Sequence, residues 1–251
     1  MLPAKPNILK CPHCDGLRRV NALWSGNTLG MIQWSDFKVY YPMLPMISSV
    51  LRCPICNKYH LYHESQIVGK CKTEGNSSWG HLSYKSLKEA FKQLKPIGED
   101  EITLRFMLLW GFNDLYGNPA NVENLSKEYL EEQEYFTQNA KALISLCPNN
   151  DFLRAELHRE LGEFDECINI LKQSSDIDKS STVYQALLSK AQQEDSKIFI
   201  VTQQDEDCYN LREPIIKDDV GCIYDPSIDS RPQSAYTPKF QHFEDDEDDD
   251  W

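Results

Sequence analysis

The sequence predicts an α+β protein made of two unlike modules and a tail. Three observations carry this prediction. Residues 7–70 are rich in aromatic and β-branched residues interrupted by Gly and Pro, the mark of short strands and turns. Between residues 83 and 193 apolar side chains recur at helical spacing. The last fifty residues have no apolar period and end in seven consecutive acids, Glu244–Asp250, before Trp251. Self-repulsion and the lack of apolar surface predict disorder there. The expected division is a β domain at 1–80, a helical domain at 81–204 and a mostly disordered acidic tail at 205–251.

In the β domain, Val39-Tyr40-Tyr41 and Ser49-Val50-Leu51 read as strands, and Gly26-Asn27 and Gly30 as turns. Residues 71–80 read as a loop. Ser83–Leu94 is apolar at 84, 87, 90, 91 and 94, and Pro96 ends that helix. The stretch from Asp100, with Ile102, Leu104, Phe106, Met107, Leu109, Trp110 and Phe112, is expected to be the most buried helix. Ser126 is a candidate N-cap for a long helix reaching Cys147. Pro148-Asn149-Asn150-Asp151 breaks it. Helices follow at Phe152–Leu161, closed by Gly162 in a left-handed conformation, at Phe164–Lys172, and from Ser181 or Thr182 to about Gln193. Ile198–Val201 reads as a short strand or the end of the ordered body.

Composition bounds the class. The chain has 251 residues, 41% hydrophobic and 11% aromatic, which excludes wholesale disorder, collagen and a coiled coil. No apolar run approaches eighteen residues, so no membrane span is expected. The start, Met1-Leu2-Pro3-Ala4-Lys5-Pro6, has no apolar signal region, which predicts a cytoplasmic protein. In that reducing setting nine cysteines, an odd number, do not suggest a disulfide set. The net charge of −13 hides a gradient. Residues 1–95 carry 13 Lys/Arg against 5 Asp/Glu, residues 96–204 carry 9 against 19, and residues 205–251 carry 4 against 15. A basic first third joined to an acidic remainder suggests different electrostatic partners.

Cys11-Pro12-His13-Cys14 and Cys53-Pro54-Ile55-Cys56 are two CPxC pairs. A two-residue gap lets both sulfurs of one pair face a single ion from a tight turn. Two such turns together give four thiolates in a tetrahedron, a closed structural Zn²⁺ site. Asp15-Gly16 after the first pair and Asn57 after the second are residue types that accept the left-handed conformation such knuckles need. The metal ligands are therefore expected to be Cys11, Cys14, Cys53 and Cys56, in a zinc-ribbon-like module. With the set closed, His13, His60 and His63 are expected at the surface, and Cys71 is expected to be a spare loop cysteine. Cys147 and Cys167 occupy apolar helix positions and are expected to be core residues. A dithiol redox site of thioredoxin type is the competing chemistry. It needs a strand before the motif and a helix after it, and Gly16–Gly30 does not read as a helix.

Between the pairs lie Ser25-Gly26-Asn27-Thr28, Trp34-Ser35-Asp36-Phe37 and Pro42-Met43-Leu44-Pro45, and after Cys56 comes the aromatic stretch Tyr59–Tyr62. Over residues 8–70 this order resembles an uncharacterised bacterial family with paired CxxC motifs and SGNT, WSDG and PxLP boxes. The chain has Phe37 where that family has glycine, so the turn there is open to difference. The resemblance implies kinship and brings no activity. Ser25, Asn27, Thr28, Trp34 and Asp36 are the candidate interaction residues of this segment; the alternative is that Asn27 and Asp36 close turns and Trp24 and Trp34 fill the core.

Residues 152–168 resemble one tetratricopeptide (TPR) unit, with small Ala155, the Leu161-Gly162 turn, Phe164, small Cys167 and apolar Leu171. His158 departs from the usual tyrosine. The resemblance implies a helical hairpin and a protein- or peptide-binding surface, and a lone unit needs neighbouring helices to bury its face.

No phosphate-cradling loop or nucleophile elbow is present, which argues against an enzyme. The sequence reading is a zinc-binding adaptor with a protein or peptide partner. Its alternative is a nucleic-acid-binding protein acting through residues 1–80, where Lys10, Arg18, Arg19, Lys38, Arg52, Lys58, Lys70 and Lys72 with Trp24, Trp34, Tyr40 and Tyr41 would form a basic-aromatic surface and the acidic tail would compete with nucleic acid.

Overall fold

Both cysteine pairs are the turns of β-hairpins. In the structure, a computed structural model describing residues 2–72, 78–117, 127–203 and 215–219, strands β1 (Leu2–Lys10) and β2 (Leu17–Ser25) run antiparallel from Lys10 opposite Leu17, with the first pair between them. Strands β3 (Ile32–Trp34) and β4 (Val39–Tyr40) form the next hairpin. Strands β5 (Val50–Arg52) and β6 (Tyr59–Leu61) flank the second pair, and β7 (Gln66–Lys70) returns to β1, giving the sheet order β2-β1-β7. The nine-residue length of β1 contrasts with the short strands expected, and its Pro3 and Pro6 argue against a central strand. Pairing with β7 resolves this: it covers only Asn7–Lys10, so both prolines lie where β1 has one partner.

The helical body follows the periodicity. Helix α1 (Tyr84–Leu94) is capped by Ser83, whose Oγ accepts from the Ser86 N–H, and ends with Lys95 in the left-handed region. Helix α2 (Gly98–Tyr116) buries Leu104, Leu108, Leu109 and Phe112 on one side. Helix α3 (Lys127–Leu146) packs on it, followed by α4 (Asp151–Glu160), α5 (Phe164–Gln173) and α6 (Thr182–Gln192). Gly162 has a φ of 77° and reverses the chain between α4 and α5, with Ala155, Cys167 and Leu171 fully buried at their contact. Strand β8 (Ile200–Gln203) then leaves the helices and pairs with β3, completing the sheet β4-β3-β8.

This return has a counterpart in the core. One apolar cluster joins Val50, Tyr59 and Leu61 of the second hairpin to Leu82 and Leu87, to the inner side of α2, and to Phe136, Leu143, Leu153 and Leu157. The expected β and helical portions thus share one core across residues 80 and 81. A second cluster lies among α4, α5 and α6, and a small third one, Leu9, Val20 and Leu51, underlies the first hairpin. No helix among the described residues is long and apolar enough to cross a membrane. Of the expected tail, residues 215–219 are described and lie against the body; the acidic run 244–250, Ser126, Cys208 and Cys222 lie outside the described residues.

Candidate metal centre

The two knuckles repeat one geometry. In the first, the Cys11 N–H donates to the Gly16 carbonyl at 2.9 Å and the Asp15 N–H to the Cys11 carbonyl at 3.1 Å. In the second, the Cys53 N–H donates to the Lys58 carbonyl at 2.9 Å and the Asn57 N–H to the Cys53 carbonyl at 2.9 Å. Asp15 and Asn57 hold φ of 58° and 60°, the left-handed conformation expected of them. The His13 N–H points at the Cys11 sulfur at 3.4 Å, a contact that spreads thiolate charge. Gly16 is where the knuckles touch: a Cβ there would lie 2.5 Å from the Ile55 Cδ1.

The four sulfurs lie within 4.8 Å of one another, with Cys14 and Cys53 at 3.6 Å and Cys11 and Cys56 at 3.9 Å. Sulfurs at the corners of a tetrahedron around zinc would be about 3.8 Å apart, given a Zn–S bond of about 2.3 Å. The donor set and spacing therefore fit a metal ion. Among the described residues no other group of three or more His, Cys, Asp or Glu side chains is so arranged. Without metal, burial pushes the Cys11 thiol up to about 12.

Arg18 is buried close enough to feel the charges of Cys53 and Cys11. Its guanidinium donates to the Arg52 carbonyl at 3.0 Å and to the Ser78 hydroxyl at 3.2 Å. A zinc ion with four thiolates would carry a net −2, which this cation would offset. Arg19 is buried too, Lys38 pairs with Asp114, Lys10 with Asp15 and Arg52 with Asp218. Arg18 and Arg19 are thus corrected from surface to interior, while Lys58, Lys70 and Lys72 remain exposed.

His60 corrects a second expectation. It is 0% exposed: it stands opposite Leu51 in a β5–β6 hairpin covered on both faces, with Val50, Tyr59 and Leu61 in the main core and Leu51 in the small third cluster. Neither ring nitrogen has a hydrogen-bond partner among the described residues, and burial, with Arg18 and His13 nearby, pulls its pKa down to about 4. His13 and His63 are exposed, as expected. Cys71 is buried at the end of β7, where its N–H donates to the Pro6 carbonyl.

The other candidate residues do not gather into one site. Ser25, Asn27 and Thr28 are exposed; Asn27 accepts from the Leu29 N–H in a tight turn. Trp34 and Asp36 are buried on the β3–β4 hairpin, and the Trp24 ring is not among the described side chains. Asp36 accepts from Asn113 Nδ2 at 2.9 Å and from the Lys38 N–H, and its carbonyl accepts from Trp110 Nε1. Ser35 Oγ accepts from the Phe199 N–H and from Arg159 Nη2. The box is thus a seam fastening the hairpin to α2, α4 and β8. Phe37 takes a φ of 66°, the conformation glycine adopts freely, so the turn is kept with a phenyl ring in it.

Sequence reasoning missed the partners of this seam. Arg159, 0% exposed, forms a bidentate pair with Glu156 at 2.6 and 2.8 Å and also donates to the Lys197 carbonyl at 2.9 Å. Asn113 donates to both Asp36 and Glu160. Burial, with Glu156 and Asp36 nearby, raises the Glu160 carboxyl well above the carboxylate range. The Glu156–Arg159 pair had a signal in its i,i+3 spacing on α4, but spacing alone cannot join Arg159 to Ser35 or Asn113 to Asp36. No known protein family, no curated protein and no solved structure matches this chain.

Proposed function

We propose that the protein is a zinc-binding, non-catalytic protein-interaction adaptor of the cytoplasm. A structural Zn²⁺ held by Cys11, Cys14, Cys53 and Cys56 fixes the β portion against the TPR-like helical body, and protein or peptide partners are held by the resulting surface. The observation that carries this reading is the four-sulfur cluster, whose spacing matches tetrahedral zinc and leaves no ligand position open for substrate. Thiol redox chemistry of thioredoxin type is disfavoured: it places its cysteine pair at a helix N-terminus, whereas both pairs here are turns between antiparallel strands. Nucleic-acid binding remains the second reading on one observation, the exposed Lys58, Lys70 and Lys72 of the first module.

Metal analysis of the purified chain is expected to find about one Zn²⁺ per chain, in keeping with a single four-ligand site; a metal-free folded chain overturns the zinc assignment. For the adaptor role, crosslinking of the intact chain at physiological salt is expected to return protein partners at fixed positions. Retardation of an oligonucleotide with a steep salt dependence, in the absence of such crosslinks, replaces it with the second reading.

A further inference from the structure

Helix α2 is apolar on more than one side. Its inner side fills the core, and on another side Phe106, Met107 and Trp110 line a groove of about 370 Å³ closed by Met46, Ile47 and Leu82. That volume is in the range of ligand pockets. Ile215, from the far end of the chain, reaches the same groove.

Three residues on, the chain enters a built anion seat. The Asp218 carboxylate accepts from the Ser83 N–H at 2.9 Å, the Ser83 hydroxyl at 2.8 Å, the Ser86 hydroxyl at 2.7 Å and Arg52 Nη1 at 3.2 Å. Ser83 is the N-cap of α1, so the positive end of that helix also faces the carboxylate. Asp219 adds a backbone bond to the His81 carbonyl and accepts from the Trp79 N–H and the Ser78 hydroxyl. Both aspartates of the segment are engaged and its isoleucines are not: Ile215 stays 40% exposed and Ile216 73%. A segment serving the core would bury its isoleucines. This one is held by its acids and leaves apolar groove surface uncovered.

We infer that the groove and the Arg52–Ser83–Ser86 seat form a docking site for an acidic peptide with an apolar residue three positions before its aspartate, and that the chain's own Ile215–Asp219 is the resident occupant a partner displaces. This rests on the adaptor reading and names its partner class. Tethering makes the resident segment a competitor at an effective concentration of about a millimolar, so a peptide in trans binds the intact chain weakly. Arg52 precedes the metal ligand Cys53, and Arg18 joins the Arg52 carbonyl to Ser78, which bonds Asp219. The seat is therefore built on the second knuckle.

The test uses the full-length, metal-loaded chain and a fluorescent peptide, Ile-Ile-Lys-Asp-Asp, read by anisotropy. The D218A/D219A variant is expected to bind it at least tenfold more tightly than the unaltered chain, and adding S86A is expected to reverse most of that gain. Should the double variant fail to fold, D218N reads the same prediction. Absence of peptide binding by the folded variant overturns the docking site, and so does binding indifferent to S86A. Either result leaves the adaptor reading to its own crosslinking test.

Discussion

At the cysteine centre, four residues from two hairpins meet at a point their own backbones prepare: each knuckle bonds to itself, and the sulfurs converge with few outside partners. At the β3–β4 seam, Asp36, Asn113 and Glu160 meet from three different elements, and Arg159 reaches Ser35 across the chain; only the Glu156–Arg159 pair on α4 and the Asp36–Lys38 turn are local. Both assemblies fasten distant chain segments. The first is spelled by a repeated local motif whose four sulfurs could hold one metal ion. The second depends on the whole fold being in place, so its strength resides in mutual pairing rather than in any one residue.

This difference sets the order of expected effects. With zinc at the centre as proposed, Cys53→Ser removes one of its four ligands and should forfeit most of a binding free energy on the order of 10 kcal/mol. Because Val50, Tyr59 and Leu61 belong to the shared core, hydrogen exchange should rise in α1 as well as in the hairpins, while the α4–α6 cluster keeps its protection. Loss of protection confined to residues 1–70 would show that the two portions are separable despite that core.

Arg159→Leu should cost about 3–5 kcal/mol in chemical denaturation, since Glu156 is left buried and unpaired. The double variant with Glu156→Leu should recover most of it. Equal losses in the single and double variants would mean that the carbonyl bonds of Arg159, not the pair, hold the seam.

Glu160 gives the seam a pH signature. Its pKa is raised on folding, so between the unfolded value and the folded one the native state keeps a proton that the unfolded chain has lost. Stability is then full below the unfolded pKa and falls as pH rises, by about 1.4 kcal/mol per pH unit. Glu160→Gln removes that slope, so its stability relative to the unaltered chain should rise as pH increases above the ordinary carboxyl range in urea titrations. A constant difference would place the Glu160 proton elsewhere.

How much was legible follows from the same contrast. The CPxC pairs, their left-handed residues and the helices from α1 to α6 could be read because each is a local pattern: a spacing, a turn residue or a period. His60 was misplaced because the β5–β6 hairpin is covered on both faces, and the coverage comes from elements distant in the chain, which a period-2 pattern does not reveal. β1 has no local mark over Leu2–Pro6, where two prolines interrupt it, and the overlap with its partner strands is not in the sequence. The docked 215–219 segment lay hidden in a stretch whose composition reads as disorder, since two aspartates need only one prepared seat to be held.

Phe37 offers the smallest and sharpest test. Its φ of 66° costs an L-residue about 1–2 kcal/mol, while its ring packs at the edge of the main core. Phe37→Gly relieves the backbone and loses the ring, so its net cost should be small, about 1 kcal/mol or less once the two contributions of similar size offset. Phe37→Ala loses the ring and keeps the strain. Alanine should therefore be the worse substitution by about 1–2 kcal/mol, the reverse of the order found where backbone conformation is ordinary. Denaturation midpoints of the two variants decide it: an alanine variant as stable as the glycine one would mean that the turn relaxes out of the left-handed region once the ring is gone, and that the ring's contact with the core, rather than the hairpin itself, imposes the conformation.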